Sequence, residues 1–131
     1  MNREITFTLG PEVSPLDAMA RTAAFVRRTL PMLLKGNPVA DATSRDVLAV
    51  VTEITDITAR HRCNADIIGR VVFDGAHITV SMGQMHRLLP APEEEPGLYL
   101  VRRLVDDLGQ YRGDEGGYTT WASVPVRSST Q

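Results

Sequence analysis

Ile67-Ile68-Gly69-Arg70-Val71-Val72-Phe73-Asp74-Gly75-Ala76-His77-Ile78-Thr79-Val80-Ser81-Met82 decides the fold. Residues 67 to 73 are rich in β-branched and aromatic side chains, and Asp74-Gly75 is a strong tight-turn signal. Ile78, Val80 and Met82 then alternate with polar residues on the return. The stretch therefore predicts a β-hairpin.

Toward the N-terminus, Ile5, Phe7 and Leu9 alternate with Glu4, Thr6 and Thr8, a half-buried strand ended by Gly10-Pro11. Ser14-Pro15-Leu16-Asp17 reads as a helix start, with serine at the N-cap and proline at the first helical position. Leu16, Met19, Ala23, Val26 and Leu30 follow at helical spacing; Pro31 is expected to kink or end this helix, and Gly36-Asn37-Pro38 to break it. A second helix opens near Thr43, with Asp46 three residues on. Its buried stripe is Val47, Val50, Val51, Ile54, Ile57 and Thr58, ending at Arg60 or His61. Toward the C-terminus, residues 83 to 95 read as a loop. A third helix is expected over 96 to 108, with Leu98, Val101, Leu104, Val105 and Leu108 inward and Gly109 as its stop. A last hairpin pairs Tyr111 and its neighbours with Tyr118 to Val124. Strands joined by hairpins, with helices that must share one face, predict an α+β two-layer sandwich. The expected sheet is mixed or antiparallel, covered on one face by three helices.

The chain has 131 residues and a formal net charge of −2. That length suits one domain, expected over 1–126 with a polar tail at 127–131. The charge gives no basic footprint for nucleic acid. No apolar run is long enough to span a bilayer, and no signal-peptide pattern is present, so a cytoplasmic protein without membrane contact is expected. Cys63 is the single cysteine, with no partner for a disulfide, and the three histidines lack metal-ligand spacing, so no metal site is expected. Basic residues are almost all arginine, Lys35 being the only lysine, a composition that fits a GC-rich bacterial genome.

Three segments carry chemistry: Leu48-Ala49-Val50-Val51-Thr52-Glu53 running on to Arg60-His61, then Gly97-Leu98-Tyr99-Leu100-Val101, and finally Trp121-Ala122-Ser123-Val124. In this order and spacing they resemble the GHKL (Bergerat-fold) ATPase domain, and most closely the anti-sigma-factor serine kinases of Gram-positive bacteria. The resemblance covers residues 4 to 124. It implies a histidine-kinase-ATPase-like fold that binds Mg-ATP between the sheet and a mobile lid, captures a sigma factor and phosphorylates an antagonist on serine.

Each motif of that family is incomplete here. The resemblance makes Glu53 the base toward the attacking hydroxyl and asks for a magnesium-holding asparagine one turn later, on the same helix face. Ile57 stands there, and a hard cation requires oxygen. Asp56 lies about 100° around the helix. Without the asparagine, an ordinary rim acid is an equal reading of Glu53. The family's adenine-binding aspartate falls at Met82-Gly83, and no Asp or Glu occurs from Ala76 to Pro92. Met82 reads as a core or pocket-plug residue. The phosphate-receiving Gly-x-Gly-Leu corresponds to Glu95-Pro96-Gly97-Leu98, where proline removes an N–H donor. Glu93, Glu94 and Glu95 add negative charge where a triphosphate would lie; a solvated acidic loop is the plainer reading of them.

The vestigial nucleotide site would thus comprise Gly97 and Leu98, with Ile57, Met82, Gly83 and Glu95 at the degenerate positions. The resulting expectation is a non-catalytic regulator without cofactor, acting by protein–protein binding on a sigma factor, an anti-sigma antagonist or a homologous regulator. A homodimer through the N-terminal strand is a further expectation. The alternative is an active ATP-dependent serine/threonine kinase, with Glu53 as base and Asp56 holding magnesium after a register shift. A third reading is a small-molecule sensor with an apolar pocket lined by Met82, Ile57 and Leu98, which an open cavity would favour and a filled one would oppose.

Overall fold

The computed structural model describes residues 3–63, 65–113 and 116–127. It is an α+β two-layer sandwich. The elements run β1 (Arg3–Leu9), α1 (Pro15–Leu33), α2 (Asp41–Arg60), β2 (Ile67–Phe73), β3 (His77–Met85), α3 (Gly97–Leu104), β4 (Asp107–Arg112) and β5 (Tyr118–Pro125). One five-stranded sheet has the order β1-β2-β3-β5-β4, and every neighbouring pair is antiparallel, so the sheet is antiparallel rather than mixed.

The period-2 alternation of the central strands separates the two faces. Ile67, Val71 and Phe73 of β2, Ile78, Val80 and Met82 of β3, and Ala122 and Val124 of β5 are buried in one core with the inward faces of the helices. α2 is the central helix, packed between α1 and α3 and resting on β3 and β5. Val47, Val50, Val51, Ile54 and Ile57 supply its buried side. Each such side chain contributes about 1.5–3 kcal/mol of transfer free energy.

Several boundaries differ from the sequence expectation. Ser14 does cap α1, its Oγ accepting from the Asp17 N–H at 3.2 Å. The buried row of α1 is Ala18, Thr22, Val26, Leu30 and Leu33, however, while Leu16 is 76% exposed. Apolar spacing alone allows either phase; contact with α2 selects this one. Pro31 lies inside α1, which continues to Leu33. α2 begins at Asp41, two residues before Thr43. The Thr43 hydroxyl is occupied otherwise, accepting from the Arg127 N–H at 3.0 Å, while the Arg127 carbonyl accepts from the Ala40 N–H at 2.8 Å. Position 127 of the expected tail is therefore held to the start of α2; the rest, 128–131, lies outside the described residues.

α3 ends at Leu104, not 108. Leu108 and Gly109 belong to β4, opposite Ala122 and Trp121. Gly109 is thus not a helix stop. It accommodates the Trp121 ring, which a Cβ at 109 would meet at 2.7 Å. Gly69 accommodates the Phe7 ring across the β1–β2 pair in the same way. Finally, β3 runs past the expected loop start at 83 to Met85, with a register shift between Gly83 and Met85.

Candidate functional site

α2 packs against both β3 and α3. It sets Glu53 against Gly97 and Arg60 against Glu95, while Ile57, Met82 and Leu98 lie in the core. Ile57, Met82 and Leu98 are 1%, 0% and 0% exposed and belong to the main core. The Thr55 hydroxyl donates to the Val51 carbonyl at 2.6 Å and lies 3.3 Å from the Met82 sulfur, so the floor beside Met82 is tightly packed. These side chains fill the space that a small-molecule sensor would leave open.

Gly83 is separated from Met82 by the pleat. It lines a cavity of about 420 Å³ together with Ile68, Arg70 and Tyr111. A Cβ at Gly83 would meet the Thr119 hydroxyl oxygen at 2.6 Å.

The rim is ionic. Arg60, in the last turn of α2, donates from Nη1 to Glu95 Oε1 at 2.6 Å and from Nη2 to Glu95 Oε2 at 2.7 Å. It also holds Asp56, from Nε at 3.2 Å and Nη2 at 3.0 Å. His61 Nε2 lies 3.5 Å from Glu95 Oε1, and the His61 and His86 rings meet edge-on at 6.0 Å. The Arg60 guanidinium bonded to Glu95 lowers that carboxyl's pKa below the ordinary range, against the opposing effect of burial. Arg60 in turn is held more firmly protonated by Glu95 and then Asp56. The three acids ahead of α3 are therefore not equivalent: Glu95 is clamped to α2, Glu93 accepts from the Tyr99 hydroxyl at 3.3 Å, and Glu94 is exposed.

Glu53 lies inside this rim, its carboxylate against Gly97 so closely that a methyl group there would overlap it. Burial raises its pKa, with Asp56 reinforcing the shift and Arg60 opposing it. The half-buried acid is therefore a better proton acceptor than an ordinary surface glutamate. Among the described residues, no group of three or more His, Cys, Asp or Glu side chains is arranged to hold a metal ion. No described helix is long and apolar enough to cross a membrane.

Sequence reasoning names Glu53, Ile57, Met82, Gly97 and Leu98, and reads Glu95 with its neighbours as a solvated acidic loop or a charge repelling phosphate. It missed the clamp because Arg60 and Glu95 are 35 residues apart. Arg62 was missed entirely: its guanidinium donates to the carbonyls of Gly10 (3.0 Å), Pro11 and Val13 (2.8 Å), tying the β1–α1 connection to the region after α2. No local periodicity announces either contact. No protein-family model matches the chain, and no curated protein matches its sequence.

Proposed function

We propose that the chain is a degenerate member of the GHKL class, related to anti-sigma-factor kinases. It acts in the bacterial cytoplasm without nucleotide, by binding a protein partner in transcription or signalling control. That partner is a sigma factor, an anti-sigma antagonist or a homologous regulator. The observation that carries the reading is the Arg60–Glu95 bridge across the mouth between α2 and α3, above a floor filled by Ile57, Met82 and Leu98. These residues do not suit Mg-ATP. The oxygen ligand expected on α2 is a buried isoleucine, and Asp56 is engaged by Arg60. Two carboxylates, Glu53 and Glu95, stand where phosphates would need donors. The element order and the meeting of Glu53 with Gly97-Leu98 support kinship with the class. One edge of β1, paired only with β2 among the described strands, offers a surface for strand addition by a protein partner.

Calorimetric titration with Mg-ATP and Mg-ADP, beside thermal unfolding, tests the proposal. A specific ligand at 100 times its Kd adds about 2.7 kcal/mol of stability, so absence of heat and of any shift is readable. That is the expected result. Micromolar binding overturns it and favours the second reading, an active kinase. The raised pKa of Glu53 is the observation favouring that alternative. In that case Glu53→Gln abolishes phosphate transfer to a serine-bearing antagonist while leaving nucleotide affinity in place.

A further inference from the structure

We propose that two copies of this chain pair through their helical layers, with α2 crossing α2 of the second copy on a two-fold axis at Ala49. The inference goes beyond the regulatory reading and holds whether or not nucleotide binds. Residues 41, 45, 49 and 53 follow at i, i+4 spacing and form one row on α2. The row reads Asp41, Arg45, Ala49, Glu53, and none of the four belongs to the core. Arg45, Ala49 and Glu53 line an open cavity of about 430 Å³ together with Arg27 of α1, with Leu48 and the 40%-exposed Leu100 as its apolar part. Asp41 and Arg45 continue into an adjoining cavity of about 340 Å³ between α1 and α2.

Among the described residues, the charges of this row form no ion pair within one chain. Among the described residues, Arg45 has no carboxylate and Glu53 no cation within ion-pair distance. Arg60, whose charge acts on Glu53, is taken up by Asp56 and Glu95. Arg45 and Glu53 stand four residues to either side of Ala49 with opposite sign. An antiparallel crossing centred on Ala49 therefore sets Arg45 against Glu53 of the second copy, and Glu53 against its Arg45. Both pairs form by symmetry from one self-complementary patch. Rows at i±4 spacing pack into one another at about −50°, and the small side chain of Ala49, with Ala23 of α1 beside it in the cavity, permits close approach. β1 has no such complement, because an antiparallel pairing centred on Thr6 would oppose Glu4 to Thr8.

Sedimentation velocity over a concentration series tests the contact. The intact chain is expected to dimerise, less tightly as salt is added. Arg45→Glu and Glu53→Arg are each expected to weaken the dimer by roughly tenfold or more, since each sets like charges face to face twice. An equimolar mixture of the two variants restores association as a heterodimer. Because Glu53 touches Gly97, a second test avoids altering it. Ala49→Cys in a Cys63→Ser background is expected to form a disulfide-linked dimer on oxidation, as Cα atoms within about 7 Å can do. Arg21→Cys in the same background is not. A wild-type chain that stays monomeric overturns the proposal. So does a dimer indifferent to both charge reversals, or one broken by Thr6→Pro on the β1 edge and not by Arg45→Glu. Failure of the Ala49→Cys variant to cross-link while its dimer persists overturns it as well.

Discussion

Arg60 holds two carboxylates with one guanidinium, and most of the rim's chemistry follows from that. Glu95 is only 12% exposed at its side chain, and its bonds to Arg60 are bidentate, which makes the pair stronger than a typical surface bridge. Arg60 itself is 37% exposed, so solvent screening limits the contribution to about 1 kcal/mol. Glu95→Gln is therefore expected to lower stability at neutral pH by about that amount in urea unfolding. The sign with pH is definite. A carboxyl whose folded pKa lies below its ordinary value of 4.5 contributes stability above that value, and the contribution is lost as pH falls through the folded pKa. The gap between wild type and Glu95→Gln should thus close on acidification below 4.5. A gap independent of pH would mean that the clamp does not form in solution. Ile57 gives a second residue-scale expectation. Restoring an oxygen ligand by Ile57→Asn buries an amide in a full core, at a cost of about 2–4 kcal/mol, without creating nucleotide affinity. A melt combined with Mg-ATP titration reads both halves of that prediction.

The β1–β2 and β4–β5 strand pairs are each built around a glycine beneath an aromatic ring. Phe7 covers Gly69, and its ring packs against Phe25 of α1 with centroids 5.4 Å apart, so the β1 edge is fastened to the helical layer. Gly69→Ala should force that ring away and cost about 1–3 kcal/mol, the range for overpacking. Hydrogen exchange should then show added loss of protection in β1 beyond that in β3 and β5. Arg62 acts on a different connection. Its three carbonyl acceptors hold the turn between β1 and α1, where Val13 is buried. Arg62→Ala should cost about 2 kcal/mol, because bonds to a charged donor exceed ordinary ones. Limited proteolysis should show cleavage within 10–14 if this arginine holds the turn, and an unchanged digestion pattern would rule that role out.

In the whole molecule, the C-terminal strand and the start of α2 stabilise each other. Residue 127 satisfies the Thr43 hydroxyl and the Ala40 N–H, and its guanidinium reaches Asp46 at 2.6 Å. Removing residues 127–131 should destabilise the fold by about 1–2 kcal/mol, the cost of leaving polar groups without partners. A thermal melt should then shift downward with the far-UV spectrum otherwise retained. An unchanged midpoint would show that water replaces all three bonds without loss.

The α+β class, the central hairpin and the buried stripe of α2 were legible from the sequence alone, because side-chain period is a local property imposed by pleat and helix pitch. The resemblance also implied that Glu53 and Gly97 lie near one another, and the two are in contact. Tertiary structure decided what no period encodes. Leu108 fits the third helix's spacing and a strand equally well, and pairing opposite Ala122 settled it. The inward row of α1 turned from Leu16 and Met19 to Ala18 and Thr22 because contact with α2, not hydrophobicity, sets the phase. Glu95 became a clamp rather than part of a solvated acidic loop only when folding set Arg60 beside it. Local spacing determines which elements form; long-range contact determines where they stop and which charges meet.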